Sequence, residues 1–324
     1  MSLQQSKKHY TRAQTSATFD NLTDYHLQIL VFLMRHRLAR TSHIHMFMGG
    51  ELDYLRRSMR LLFDLDPPLV MRRKEPYIKG QRVEGSHSKI HEPTELGLSA
   101  ATTYLGIPEQ SADNPIRTDH ALLRTAFLAP LEGACFEDTY RYIDATEIIA
   151  AQPKNRRTNP NPYSWELFVN KQNHVLVPDK IFILEHPRPH TGTTKRGLFF
   201  LEIDTGGRGH KSEPIERSDL RQSSIAKKIL LYGLTYVRKI HAKHFRVDNF
   251  RVLIITRGSD RIDHMIEVVR RYSAIHGFPP SIFHFTEHQD FTPDTILTMP
   301  WRVYRRKRIQ DIVAEGEVAR TLID

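Results

Sequence analysis

The sequence of 324 residues contains a single cysteine, Cys135, and no long apolar run. One cysteine excludes an intrachain disulfide and a cysteine-rich zinc cluster, so Cys135 is expected to be a small buried apolar group. No segment approaches the roughly 18 apolar residues that a membrane helix needs. The N-terminal residues also lack the apolar core of a secretory signal. These absences predict a cytoplasmic protein with no membrane partner.

Several common catalytic motifs are also missing. The chain has no His-Glu-x-x-His helix motif, which leaves zinc catalysis without support. It has no Gly-x-x-x-x-Gly-Lys-Ser/Thr loop, and the glycine-rich stretch 206–209 carries no lysine. It has no Gly-x-Ser-x-Gly elbow either. Zinc hydrolases, P-loop nucleotide hydrolases and α/β-hydrolases are therefore disfavoured.

Positive charge is in excess and is unevenly distributed. There are 47 Lys and Arg residues against 37 Asp and Glu residues, a formal net charge of +10. An even surplus would indicate only solubility, whereas a concentrated one favours a polyanionic partner such as nucleic acid. One concentration contains Arg56, Arg57, Arg60, Arg72, Arg73 and Lys74. A second contains Arg302, Arg305, Arg306, Lys307 and Arg308.

The first basic concentration lies in a segment with the pattern of a winged helix-turn-helix. After a basic tail (1–19) that we expect to be disordered, the apolar spacing predicts three helices followed by two short strands, at 69–72 and about 89–91. We therefore assign 20–112 to a winged helix-turn-helix domain. In such a domain the third helix enters the major groove and the wing contacts the DNA backbone. An alternative is a winged helix used for protein contacts.

This assignment predicts the residues that bind double-stranded DNA. In the third helix they are Arg56, Arg57 and Arg60. On the wing they are Arg72, Arg73 and Lys74.

From residue 113 to residue 324 the pattern changes to alternating strands and helices, which predicts an α/β domain. Three acids of this domain lie on or beside strands, namely Asp179, Glu202 and Asp204. Neighbouring carboxylates repel each other, and a hard divalent cation is their usual neutralising partner. We therefore predict that Asp179 and Glu202 hold Mg²⁺ or Mn²⁺, and that Asp204 assists. The cation would serve phosphodiester chemistry.

Two adjacent lysines, Lys227 and Lys228, begin the helix that follows these strands. A lysine beside the acids would position a water molecule and offset negative charge on a phosphate group. The sequence leaves open which of the two would act.

The order of these residues resembles that of the PD-(D/E)xK nucleases, which have a restriction-endonuclease-like fold. In that superfamily Pro-Asp on one strand is followed by an acid-x-lysine on the next. Asp179 and Glu202 match this pattern, but Asp204 stands where the lysine is expected. Some members carry the lysine on the following helix, where Lys228 or Lys227 would fit. The displaced lysine leaves cleavage activity open.

A closer resemblance is to the replication-relaxation family of plasmids and other mobile elements. Its landmarks match VPDKIFIL, FFLEIDTGG and KKILLY, and the resemblance covers about residues 20 to 305. It implies a winged helix joined to a nuclease-like domain, and a role in plasmid replication, relaxation or transfer. A relaxase or a replication protein would be the protein partner.

Other interpretations stay open. Glu202 and Asp204 can be solvated strand-end acids, or acids paired with Arg208 or Lys211. The protein can equally be a non-catalytic transcription or replication regulator, or an accessory factor that recruits a relaxase. A homodimer on palindromic DNA is open too, although no heptad seam is present.

Overall fold

The structure is a computed structural model, and it divides into two compact units, Met1–Pro130 and Leu131–Asp324. The first is largely helical and the second contains a mixed β-sheet, as expected for the coarse fold class. The described residues are 22–73, 89–107, 117–137, 140–150, 164–169, 171–188, 193–206, 224–305, 316–320 and 322. The expected tail at 1–19 and the side chain of Lys74 lie outside them.

The N-terminal unit combines helices with a small antiparallel sheet. Its three strands lie in the order β1-β3-β2, with β2 and β3 close to the predicted positions. In chain order the elements are α1 (Asp24–His36), β1 (Ala39–Arg40), α2 (Thr41–Met48), α3 (Leu52–Asp64), β2 (Val70–Arg73), β3 (Ile90–Pro93) and α4 (Glu95–Leu105).

Local signals explain where two of these helices begin and how closely they pack. At the start of α1 the Thr23 N–H donates to His26 Nδ1 at 3.1 Å. At the start of α4 the Thr94 hydroxyl oxygen accepts from the Gly97 N–H, also at 3.1 Å. Both contacts satisfy helix-terminal groups that lack an intrahelical partner. A Cβ at Gly97 would lie 2.1 Å from the Leu69 carbonyl oxygen, so α4 approaches the chain before β2 too closely for a larger residue.

The boundary between the units lies within a helix, α5 (Thr118–Glu137), rather than near residue 112 as the composition suggested. The first half of α5 belongs to the N-terminal unit because it is hydrogen-bonded to the end of α1. The Thr125 hydroxyl donates to the Leu38 carbonyl oxygen at 2.8 Å, and Arg124 donates to the His36 carbonyl oxygen at 3.1 Å. The polar stretch at 108–116 lies outside the described residues.

The C-terminal unit contains a seven-stranded sheet and a separate two-stranded hairpin, β5-β6. The order of the large sheet is β12-β11-β10-β9-β8-β7-β4. The elements are β4 (Arg141–Asp144), α6 (Ala145–Ala150), β5 (Trp165–Val169), β6 (Gln172–Leu176), β7 (Lys180–Arg188), β8 (Thr193–Ile203), α7 (Ile225–Val237), α8 (Ile240–Phe245), β9 (Phe250–Thr256), α9 (Ser259–His276), β10 (Phe283–Glu287), α10 (Pro293–Ile296), β11 (Trp301–Arg305) and β12 (Gly316–Arg320).

The centre of the large sheet determines where the acidic side chains lie. Strands β8, β9 and β10 are parallel and are mostly buried where they pair with one another, whereas β7 runs antiparallel to β8. Lys180 pairs with Leu201, so Asp179, immediately before β7, lies beside Glu202 near the end of β8. Alternation along β8 places Glu202 on the same face as Leu198 and Phe200, which pack in the core with α7 and α9. Among the described helices, none combines the length and apolar character needed to cross a membrane.

Candidate functional site

Glu202 is a buried carboxylate whose two oxygens are both hydrogen-bonded within the protein. Its side chain is 1% exposed. The Tyr232 hydroxyl donates to Oε1 at 2.6 Å, and the Lys228 ammonium group donates to Oε2. A buried charge without such partners would be strongly destabilising. These two side chains of α7 therefore satisfy both carboxyl oxygens of Glu202 inside the core.

Asp179 is the fourth side chain of this cluster, because its carboxylate also lies near the Lys228 ammonium group. Its Oδ2 accepts the Ile203 N–H at 2.7 Å, which ties the start of β7 to the end of β8. Its Oδ1 lies 3.6 Å from Lys228 Nζ. One ammonium group thus lies against both the Asp179 and the Glu202 carboxylate. We call Asp179, Glu202, Lys228 and Tyr232 the acid–lysine cluster.

The sequence of α7 explains why Lys228, and not Lys227, joins this cluster. The Ser224 hydroxyl oxygen accepts the Lys227 N–H at 3.1 Å, which fixes the start of the helix. Lys228 and Tyr232 are four residues apart and so share a helix face. Lys227 points elsewhere: burial, followed by the Lys227 charge, lowers the pKa of His174 on β6. The structure therefore distinguishes two lysines that the sequence left equivalent.

The electrostatics of the cluster are strongly coupled. Burial raises the pKa of Glu202, and the Lys228 ammonium group opposes that effect. Burial alone would lower the pKa of Lys228, but the Glu202 and Asp179 carboxylates outweigh it and raise that pKa. Burial and the Glu202 charge also raise the pKa of Tyr232, so its hydroxyl keeps its proton and remains a donor. Shifted groups of this kind gather at functional sites, and in structural ion-pair networks as well.

Asp204, the third predicted acid, makes a different set of contacts. Arg261 of α9 donates to both of its carboxylate oxygens, at 2.9 Å for the Nη2–Oδ1 pair. The Thr256 hydroxyl donates to Oδ2 at 2.6 Å. Asp204 follows the last residue of β8, beside the first turn of α9, and its charge is neutralised there. These contacts hold the Asp204 side chain within the protein, and its assistance to a metal stays a prediction. The alternative partners Arg208 and Lys211 lie outside the described residues.

The donor chemistry of the cluster suits a hard divalent cation. Asp179 and Glu202 offer carboxylate oxygens, the ligands that Mg²⁺ and Mn²⁺ prefer. When both carboxylates are ionised, the two acids and the one ammonium group carry a net charge of −1. Within the described part of the chain, no three His, Cys, Asp or Glu side chains gather as a metal-binding group. A cation held here would therefore take two protein carboxylates and complete its shell with water or substrate oxygens.

All five of the predicted DNA-binding arginines also take part in contacts inside the N-terminal unit. Three of them form ion pairs: Arg56 with Asp53 at 2.8 Å, Arg60 with Asp64 at 3.3 Å, and Arg73 with Glu92 at 3.6 Å. The other two lie over aromatic rings. These are Arg72, 4.3 Å from the centre of Phe63, and Arg57, 6.0 Å from the centre of Tyr54. Lys74 is not described.

A lysine that the sequence did not single out joins this basic surface. Burial, followed by the charges of Arg72 and Arg56, lowers the pKa of Lys89. Three cations from α3, β2 and the residue before β3 therefore act on one another. The pairing of Arg72 with His91 across β2 and β3 places Lys89 diagonally from Arg72, a cross-strand signal that could have identified it. We call Arg56, Arg72 and Lys89 the basic cluster.

Comparisons of the chain with protein-family models, with curated proteins and with solved structures find no match. The function is therefore inferred from the contacts within the two clusters and from the sequence motifs.

The basic cluster also makes a pH-dependent contribution to stability through His91. This side chain is buried, and its Nε2 lies 2.9 Å from the Thr41 hydroxyl oxygen. Burial, followed by the Arg72 and Lys89 charges, lowers the pKa of His91 to about 3. Unfolded histidine binds a proton near about pH 6.5. Between these values the unfolded state binds more protons, so stability is lost as the pH falls.

We predict that lowering the pH from 7 to 4.5 costs the wild-type N-terminal unit about 2–3 kcal/mol more than it costs His91→Gln. Urea unfolding followed by circular dichroism measures this difference. Both tryptophans, Trp165 and Trp301, belong to the C-terminal unit. Their fluorescence therefore separates the unfolding of the two units. Equal pH dependence in the two proteins would show that His91 is not held neutral.

Proposed function

We propose that this chain is a DNA-binding protein of the replication-relaxation type, with an N-terminal winged helix and a C-terminal PD-(D/E)xK-like domain. In this role the protein acts in the replication, relaxation or transfer of a plasmid or other mobile element. The observation that carries the proposal is the contact of Lys228 with both Asp179 and Glu202. The nuclease motif requires two acids and a lysine. These three residues are separated in the sequence, and their side chains lie close together in the structure.

The element order of the N-terminal unit supports a winged helix. The order is α1, β1, α2, α3, β2 and β3, so three helices precede the two antiparallel strands β2 and β3. The short strand β1 joins these two strands in one sheet. Helix α3 carries Arg56, Arg57 and Arg60, and β2 and β3 would be the strands of the wing. In winged-helix proteins a helix reads the groove and the flanking cations bind phosphates. The mutual repulsion within the basic cluster would be relieved by the phosphates of double-stranded DNA.

We predict that Lys89→Ala and Arg72→Ala each weaken binding to a duplex of about 30 base pairs, because each removes a phosphate-binding cation. The loss should be roughly tenfold at low salt, and the slope of log K against log salt should fall by about one. Fluorescence anisotropy at several salt concentrations measures both quantities. Arg270→Ala, which removes one exposed charge from the C-terminal unit, is the matched control. Equal losses in all three variants would contradict a phosphate-binding role for the basic cluster.

The acid–lysine cluster supports phosphodiester cleavage by the C-terminal domain. Asp179 and Glu202 would hold Mg²⁺ or Mn²⁺, and the bound cation would supply a Lewis acid for the phosphate group. Tyr232 fixes the orientation of the Glu202 carboxylate, and the Ile203 N–H fixes that of Asp179. Lys228 is the most exposed of the three charged members. It would orient the attacking water and offset charge on the phosphate.

Cleavage is tested with supercoiled plasmid in Mg²⁺ or Mn²⁺. We predict that the wild type nicks or cuts it, and that Asp179→Asn, Glu202→Gln and Lys228→Met lose about 100-fold or more of this activity. Lys227→Met is the matched control and should keep it. A gel shift with each variant shows whether DNA binding persists. Full DNA binding with no cleavage by any protein, including the wild type, would reject the nuclease.

One observation favours a second candidate function, a non-catalytic replication or transcription regulator. Both Glu202 oxygens are hydrogen-bonded within the protein, and Lys228 already supplies a positive charge to the acids. The cluster can therefore stabilise the fold without a metal. Such a protein would bind DNA in a salt-sensitive, metal-independent manner and would recruit a relaxase or a replication protein. A homodimer on a palindromic site fits either function.

A further inference from the structure

The position of the Lys228 ammonium group identifies the place where a cation meets both acids. It donates to Glu202 Oε2 and lies 3.6 Å from Asp179 Oδ1. A divalent cation bound by the same two carboxylates would need this region of space. Two cations so close together repel each other strongly in a partly buried site. Metal and ammonium group therefore compete for the acids.

The three charged members of the cluster differ in their freedom to move. Glu202 is held by Tyr232, and Asp179 by the Ile203 N–H. The side chains of Glu202 and Asp179 are 1% and 14% exposed, whereas that of Lys228 is 27% exposed. A lysine also carries its charge on a flexible four-carbon stem. When a second cation binds the two carboxylates, Lys228 is the side chain that can move away.

We propose that Lys228 is a displaceable internal counter-ion, whose ammonium group neutralises Asp179 and Glu202 until a divalent cation takes its place. This inference rests on the proposed metal-dependent function and describes how that site is regulated. In the metal-free protein the ammonium group lies against the acids. In the metal-bound protein it faces the solvent at the mouth of the site. There it can meet a phosphate group that enters after the metal.

Displacement has a consequence that does not depend on cleavage, because an amine released from two carboxylates is more accessible to reagents. The experiment labels lysines of the full chain briefly with an amine-reactive ester, with and without saturating Ca²⁺ or Mg²⁺ and with no DNA present. Peptide mass spectrometry then locates the label. We expect the metal to raise the labelling rate of Lys228 roughly tenfold, as a shielded group becomes mostly exposed. Lys227, the adjacent residue outside the cluster, is the internal control and should not change.

Calorimetric titration of the same protein with the same cation separates the outcomes. Metal binding together with faster labelling of Lys228 supports displacement, and Asp179→Asn should abolish both effects. Metal binding with unchanged or slower labelling of Lys228 overturns the displacement and leaves the proposed nuclease site intact. No binding of either cation overturns both the displacement and metal-dependent cleavage. DNA binding by the N-terminal unit would be unaffected by that result.

Discussion

The burial of the Glu202 charge is the constraint on which the candidate site depends. A carboxylate with 1% exposure requires partners, and α7 supplies them one turn apart, as Lys228 and Tyr232. The same ammonium group lies near Asp179. The neighbouring strands β7 and β8 and the first turn of α7 therefore meet at the Lys228 side chain. Where the parallel strands β8, β9 and β10 pair with one another they are mostly buried, and they hold this polar cluster at the edge of the core. The buried Glu202 therefore connects the sheet to α7 through its contacts with Lys228 and Tyr232.

Much of this arrangement could be predicted from the sequence. The apolar spacing predicted three helices followed by two strands, where the structure has α1, α2, α3, β2 and β3. Pro-Asp before one strand and Glu-x-Asp at the end of the next drew attention to Asp179 and Glu202, and the pairing of β7 with β8 places the two residues side by side. The Lys-Lys pair at the start of α7 brought a lysine into the site. Helical geometry explains why Lys228 is the lysine that joins the site. It lies one turn before Tyr232 on the same helix face, whereas Lys227 lies toward β6.

Other features depend on contacts between residues distant in sequence. Asp204 lies two residues after Glu202, yet its partner Arg261 comes from α9, more than 50 residues later in the chain. The sequence around Asp204 does not predict its pairing with Arg261. The boundary between the units was placed in a polar stretch, whereas the hydrogen bond from Thr125 to Leu38 ties the first half of α5 to the N-terminal unit. Lys89 belongs to the basic cluster through the pairing of β2 with β3, which composition alone does not reveal.

The most direct test of this account is the free energy of unfolding of the C-terminal unit in Lys228→Met compared with Lys227→Met. Tryptophan fluorescence in a urea titration reports it, since Trp165 packs near Tyr232. If Lys228 neutralises Glu202, Lys228→Met should lose about 3 kcal/mol, and Lys227→Met less than about 0.5 kcal/mol. Adding Glu202→Gln to Lys228→Met should recover much of the loss, because the uncompensated charge is gone. Equal stability of both single variants and the wild type would contradict the account.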